Sequence, residues 1–197
     1  MNAMQKRPLR IGFDLDGVLL YNPARIARPI VAFVKKHFLK KRTNSFYIPK
    51  SPMAKQMWSV FHLSSLFPTS GHKQLKEFIK KHKIQAYIIS ARYGFLEDDF
   101  KKWVKKLDPD HVFIEYYHNT ENKQPHLYKK QMIDKLGLDV FVEDNWDIIR
   151  LIKPKTKTKM FWITNILDRN VYHEYKYNGI EQVVKKLREY VEDGKKK

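Results

Sequence analysis

The stretch RIGFDLDGVLLYNP, Arg10 to Pro23, decides the fold. An apolar run ends there in two aspartates, Asp14 and Asp16, with Gly17 directly behind them. Residues i and i+2 of a strand point to the same side, so both carboxylates face one place where the strand stops and the chain turns. Carboxylates that close repel each other unless a cation lies between them or one keeps a proton. The strand end therefore reads as half of a cation site. A calcium loop of the EF-hand type matches poorly, because Val18 falls on its fifth position and the glycine comes too early.

Outward from this strand, short apolar runs rich in β-branched and aromatic residues predict strands at 9–15, 86–90, 112–116, 140–143 and 160–164. Amphipathic patterns predict helices at 71–82, 95–107, 127–136 and 179–191. Continuous apolar strands alternating with helices indicate an α/β fold, a Rossmann-like parallel five-stranded sheet with helices on both faces. Residues 1–20 and 71–194 supply this core domain, and 195–197 form a disordered basic tail. Residues 21–70 break the rhythm and read as a small helical cap inserted after the first strand. Asn22-Pro23 and Ser51-Pro52 each pair an N-cap residue with a proline in the first turn. Ile26, Ile30, Val31, Val34 and Phe38 then recur at helical spacing, as do Met53, Met57, Val60 and Phe61, with Pro29 kinking the first of these helices.

With 197 residues, the chain suits one well-cored domain carrying an insertion. Having no cysteine, it excludes disulfides, thiolate nucleophiles and cysteine-bound zinc. No apolar run approaches the roughly 20 residues of a membrane span, and MNAMQKRPLR holds no apolar signal core, so the expectation is a cytoplasmic protein without a membrane partner. Basic residues number 39, of which 30 are lysine, against 21 acidic ones, a net charge of +18. That balance favours anionic partners. Many of the lysines stand as pairs on solvated helix faces, such as Lys80-Lys81 and Lys101-Lys102, which implies weak, non-specific nucleic-acid binding rather than a built groove.

Parallel sheets bind ligands at the carboxyl ends of their strands. The second strand ends in Ser90 and Arg92, a hydroxyl and a guanidinium suited to phosphate oxygens. The fourth ends in Glu143 and Asp144, and Lys129 and Lys130 lie near the start of the helix before it. Two roles are open to Arg92, touching a phosphate or bracing the loop. Phe46, Tyr47, Trp58 and Phe61 of the cap either stack on a base or form the cap's own core.

In these motifs, FDLDGVL, IISAR, YKKQMIDKLG and VFVEDN in that order, the chain resembles the haloacid dehalogenase superfamily of phosphohydrolases. The VEDN ending and the short chain are similar to the 5'(3')-deoxyribonucleotidase-like branch. The resemblance implies a Mg²⁺-dependent phosphatase, with Asp14 as nucleophile and Asp16 as proton carrier. It implies Mg²⁺ held by Asp14, the Asp16 main-chain carbonyl and Asp144. Ser90 and a lysine would bind the phosphate, and the resemblance favours Lys129 over Lys130, because counted back through Gly137 it falls where the family's lysine usually stands. Where the family usually has a first aspartate in its fourth motif, Glu143 stands here. The implied substrate is a nucleotide or other small phosphorylated metabolite. A phosphorylated nucleic-acid end is the alternative, as is a non-catalytic nucleic-acid-binding protein on the same fold.

Overall fold

The computed structural model describes residues 7–23, 46–63, 65–165, 168 and 170–195. β1 (Arg10–Phe13) leads through a tight turn into β2 (Leu20–Tyr21), and the insertion supplies α1 (Pro52–Leu63) before returning as β3 (Phe67–Pro68). Then follow α2 (His72–His82), β4 (Gln85–Tyr93), α3 (Glu97–Leu107), β5 (Glu115–Asn119), α4 (Pro125–Leu136) and β6 (Val140–Glu143). The remaining elements are α5 (Trp146–Ile152), β7 (Lys159–Ile163), β8 (Lys176–Tyr177) and α6 (Ile180–Lys195).

Six strands form one parallel sheet in the order β5-β4-β1-β6-β7-β8. Side chains alternate across it, as the period of two requires. Ile11, Phe13, Ile88, Val142 and Phe161 join one apolar cluster with Leu75 of α2, Phe100 of α3 and Val183 of α6. Ile89, Phe141, Met160 and Trp162 join the other, with Met132 of α4 and Ile149 of α5. Both faces are thus covered by helices. Because the chain runs outward from β1 to β5 and then returns to place β6 beside β1, the strand order reverses there, and a crevice opens at the carboxyl ends.

Three expectations are corrected. The sheet has six strands rather than five, because β8 is a two-residue pairing with β7 that is too short to leave a periodic signal. The third predicted strand begins later, at Glu115. The Asp108 carboxylate accepts the Val112 and Phe113 amides at 2.9 and 2.8 Å, which ties 112–113 into a turn and leaves Phe113 as a buried plug. The expected tail from 195 is also wrong at its first residue, since α6 continues through Lys195. Extending a formed helix costs little compared with nucleating one.

The insertion leaves and re-enters the core at one point. β2 pairs antiparallel with β3, Tyr21 stacks on Phe67 at 5.1 Å, and the Thr69 amide donates to the Leu19 carbonyl at 2.9 Å. Ser51 caps α1 as expected, accepting the Ala54 amide at 3.2 Å. The helix anticipated at 26–38 lies outside the described residues, as do the side chains of Met57, Val60 and Phe61. No helix among the described residues is long and apolar enough to cross a membrane.

Candidate active site

The turn after β1 is shaped by Gly17. Its φ is +82°, a region that L side chains seldom adopt, and an added Cβ would lie 2.4 Å from Asp144 Oδ2. Glycine is therefore what lets the carboxylate at the end of β6 close on the turn that carries Asp14 and Asp16. Asp14, Asp16 and Asp144 are all buried.

Lys129 joins the two strand ends. Pro125 opens α4 at a position where its missing amide proton costs nothing, and Lys129 is carried on the helix face packed against the sheet. Its ammonium lies 2.9 Å from Asp14 Oδ2 and 2.6 Å from Glu143 Oε2. Glu143 uses its other oxygen on the backbone, Oε1 accepting the amides of Asp144 at 3.1 Å and Asn145 at 2.9 Å. Lys130 points elsewhere, pairing with Asp134 one turn along α4. Of the two lysines, Lys129 is the one that reaches the carboxylates at the strand ends. Asp144 is steadied through its main chain, because the buried indole of Trp162 donates to its carbonyl at 3.1 Å. Asn145 then caps α5 by accepting the Asp147 amide at 3.0 Å, and Asp147 itself pairs with Arg150 rather than with the cluster.

A β-bulge follows Ser90, where the register of β4 against β5 shifts between Ser90 and Tyr93. Bulges re-aim side chains. Here the Arg92 amide donates to Ser90 Oγ at 3.3 Å, and the Arg92 guanidinium reaches the Asp16 carboxylate with two hydrogen bonds, at 2.7 and 2.6 Å. Asp99 of α3 accepts a third, and Ser65 of the insertion donates to Asp16 Oδ1 at 2.6 Å. Of the two roles open to Arg92, the structure shows the bracing one.

Four buried carboxylates, Asp14, Asp16, Glu143 and Asp144, face one buried ammonium and one buried guanidinium. Burial is the largest influence on Asp14 and raises its carboxyl above the ordinary range, with Asp144 and Asp16 adding to the rise and Lys129 opposing it. Burial likewise pushes Glu143 up against the pull of Lys129. Lys129 shows the reverse balance, since Asp14 and Glu143 outweigh its burial and hold it charged. Acids outnumber cations there, which suits a divalent cation. Asp14, Glu143 and Asp144 each offer an oxygen within 4.8 Å of the others. Glu143 is already committed to Lys129 and two amides, which leaves Asp14 and Asp144 as the side chains suited to the ion.

Sequence reasoning found Asp14, Asp16, Ser90, Lys129 and Asp144, and the structure brings all five to one edge of the sheet. It missed Ser65, Asp99 and Trp162 as supports. Ser65 belongs to no pattern, Trp162 counted only as a residue of a predicted strand, and Asp99 looked like an ordinary acid in the first turn of a helix.

No family model matches the sequence, and no curated protein matches it. Solved structures do match. A HAD-superfamily hydrolase from Ehrlichia chaffeensis aligns over 93% of this chain and 98% of its own, at 14% identity and a TM-score of 0.53. The chain has the haloacid dehalogenase fold. A HAD hydrolase of family IA, variant 3, from Entamoeba histolytica aligns over 88% of this chain and 94% of its own, with 14% identity and a TM-score of 0.57. A candidate HAD-hydrolase from Bacillus subtilis bound to magnesium covers 93% and 100%, with 11% identity and a TM-score of 0.56. In this chain β1 lies between β4 and β6, and the acids described above stand at the carboxyl edge of these strands.

Proposed function

We propose that this protein is a Mg²⁺-dependent phosphomonoesterase that works through an aspartyl phosphate on Asp14. The observation that carries the reading is the buried constellation at the switch point, where Lys129 bridges Asp14 and Glu143 while Asp144 closes on Gly17. Asp14 and Asp144, with the Asp16 main-chain carbonyl, would hold the ion, which supplies screening between a carboxylate and an anionic phosphate. The magnesium of the Bacillus subtilis structure and the HAD hydrolase neighbours support that assignment.

Lys129 opposes the rise that burial imposes on the Asp14 carboxyl and fixes it for attack. An Asp14 oxygen bonds to phosphorus, the bond from phosphorus to the ester oxygen breaks, and Asp16 gives its proton to the departing oxygen. Water then attacks the aspartyl phosphate and yields a proton to Asp16, releasing phosphate and restoring Asp14. Ser90, buried at the end of β4, donates to a phosphate oxygen.

The substrate we favour is small, a nucleoside monophosphate above all. A cleft of about 460 Å³ opens between the insertion (Pro49, Lys50, Lys55) and the loops after β4 and β5 (Phe95, Asn122). None of Asp14, Asp16, Ser90, Lys129 and Asp144 lines that cleft; the preference for a compact ligand rests on the insertion, which we take to act as a cap over the strand ends. The likeness of VFVEDN to the deoxyribonucleotidases agrees. The +18 charge favours a second reading, a phosphorylated nucleic-acid end.

The test is phosphatase assay with and without Mg²⁺ over nucleoside monophosphates, sugar phosphates and end-phosphorylated oligonucleotides, for the wild type, Asp14→Asn and Asp144→Ala. Hydrolysis is expected to need Mg²⁺ and to vanish in Asp14→Asn, and Asp144→Ala to need more Mg²⁺ for half activity. Undiminished turnover by Asp14→Asn would sink the nucleophile assignment. An oligonucleotide that outcompetes every mononucleotide in about 0.2 M salt, where non-specific phosphate contacts weaken, would move the substrate to the nucleic-acid end.

A further inference from the structure

Groups from two parts of the chain converge on the Asp16 carboxylate, and an acid from a third holds one of them. Arg92, at the bulged end of β4, donates from Nε to Oδ2 at 2.7 Å and from Nη2 to Oδ1 at 2.6 Å. Ser65, on the return limb of the insertion, donates its hydroxyl to Oδ1 at 2.6 Å. Asp99 holds the guanidinium from behind through Nη1. The Arg92 side chain is 0% exposed, so its fork faces these acids rather than solvent. A planar fork that meets both oxygens, with a third donor on one of them, leaves the carboxylate a single orientation. Ser65 Oγ also accepts from Asn22 Nδ2 at 3.3 Å. The outgoing and returning limbs of the insertion therefore meet beside Asp16.

We propose that Arg92 and Ser65 are positioning residues which hold Asp16 oriented for proton transfer, and that Ser65 makes this orientation depend on how the insertion is seated on the core. The inference rests on the phosphatase reading and adds the part of the chain that governs its proton carrier. Three of the five Arg92 N–H groups are already given to Asp16 and Asp99, two buried or half-buried acids that would lose their cation if the side chain swung away to a phosphate. Lysine cannot replace it, because an ammonium offers a point charge and not a fork.

The readout is leaving-group dependence. An aryl phosphate such as p-nitrophenyl phosphate releases a stable anion, whereas an alkyl phosphate such as glycerol phosphate needs a proton on its departing oxygen. kcat/KM is compared because it reports the steps up to transfer onto Asp14. Ser65→Ala removes one oxygen and keeps the Arg92–Asp16 pair, so the fold is retained. It is expected to lower kcat/KM for the alkyl ester about ten-fold, inside the range a general acid contributes, while the aryl ester changes by less than about two-fold. Ser65→Thr, which keeps the hydroxyl, restores the alkyl activity. Arg92→Lys shows the same selectivity with a larger loss, and the Mg²⁺ concentration for half activity stays put in both Ser65 variants. Equal losses on the two esters overturn the proposal while the phosphatase reading stands. A wild-type protein that cleaves neither ester overturns both.

Discussion

Lys129 is the residue on which the site turns. It has almost no exposed surface, and its charge is sustained by Asp14 and Glu143. Removing one partner from a buried ionic group strands the others, which typically costs about 3–5 kcal/mol. Lys129→Met should therefore lose stability on that scale in urea melts, along with all phosphatase activity. Lys130, partly exposed and paired within its own helix with the exposed Asp134, should show the worth of an i,i+4 pair, within about 0.5 kcal/mol, and keep its activity as Lys130→Met. Equal melting of the two variants would mean that the buried bridge contributes nothing. Glu143 explains why an acid other than aspartate tolerates its place. The longer side chain spans from the backbone amides of Asp144 and Asn145 to Lys129, and it acts as the lysine's anchor.

Among the elements, the β1 turn and the β6 end are set by each other. Gly17 has φ +82° and stands where Asp144 needs room, so a methyl group there meets two objections at once. The left-handed conformation alone costs a non-glycine residue about 1–2 kcal/mol. The contact at 2.4 Å is with carboxylate Oδ2, so relief requires Asp144 to move. Gly17→Ala should lower the urea midpoint and raise the Mg²⁺ concentration needed for half activity. An alanine variant that loses stability but keeps its Mg²⁺ requirement would show that Asp144 does not depend on this turn. The start of α5 follows the same logic, since Asn145 caps the helix directly behind Asp144 and so holds the acid at a rigid helix end.

Across the whole molecule, burial works on several histidines in one direction. His72, His118 and His173 are all held below the ordinary 6.5, first by burial. Each meets a carbonyl through Nε2, of Leu107, Tyr93 and Met160 respectively, which requires the Nε2–H tautomer. Their Nδ1 atoms are buried with no hydrogen-bond partner among the described residues, so a second proton has no acceptor. A depressed histidine contributes stability that is full above the unfolded value of about 6.5 and is lost as pH falls toward the folded value. Asp14 has the opposite slope, because its raised carboxyl favours the fold as pH falls. Ring nitrogen NMR separates the two. At a pH of about 6, these three rings should still show the neutral Nε2–H pattern, whereas a free imidazole would be mostly charged. Charged rings at that pH would refute the tautomer assignment.

The sequence by itself determined the parallel α/β core, the order of its principal strands along the chain, and the gathering of Asp14, Asp16, Ser90 and Asp144 at one sheet edge, while Lys129 was preferred to Lys130 through the family resemblance. These are local facts: an apolar run of period two, a helix start, and acids placed just past a strand end, which any reading of neighbours along the chain recovers. Only the tertiary structure decided what each group leans on. Arg92 turned from a phosphate-or-brace question into a brace because a bulge at the end of β4 aims it at Asp16. Ser65 reached Asp16 because β2 and β3 close the insertion on itself, 49 residues apart in the chain. The strand shift at Glu115 came from the Asp108 side chain taking two amides that a propensity reading assigns to the sheet. A carboxylate's partner depends on which buried donors the fold brings within about 3 Å, and that distance is a property of packing between segments that the order of residues does not encode locally.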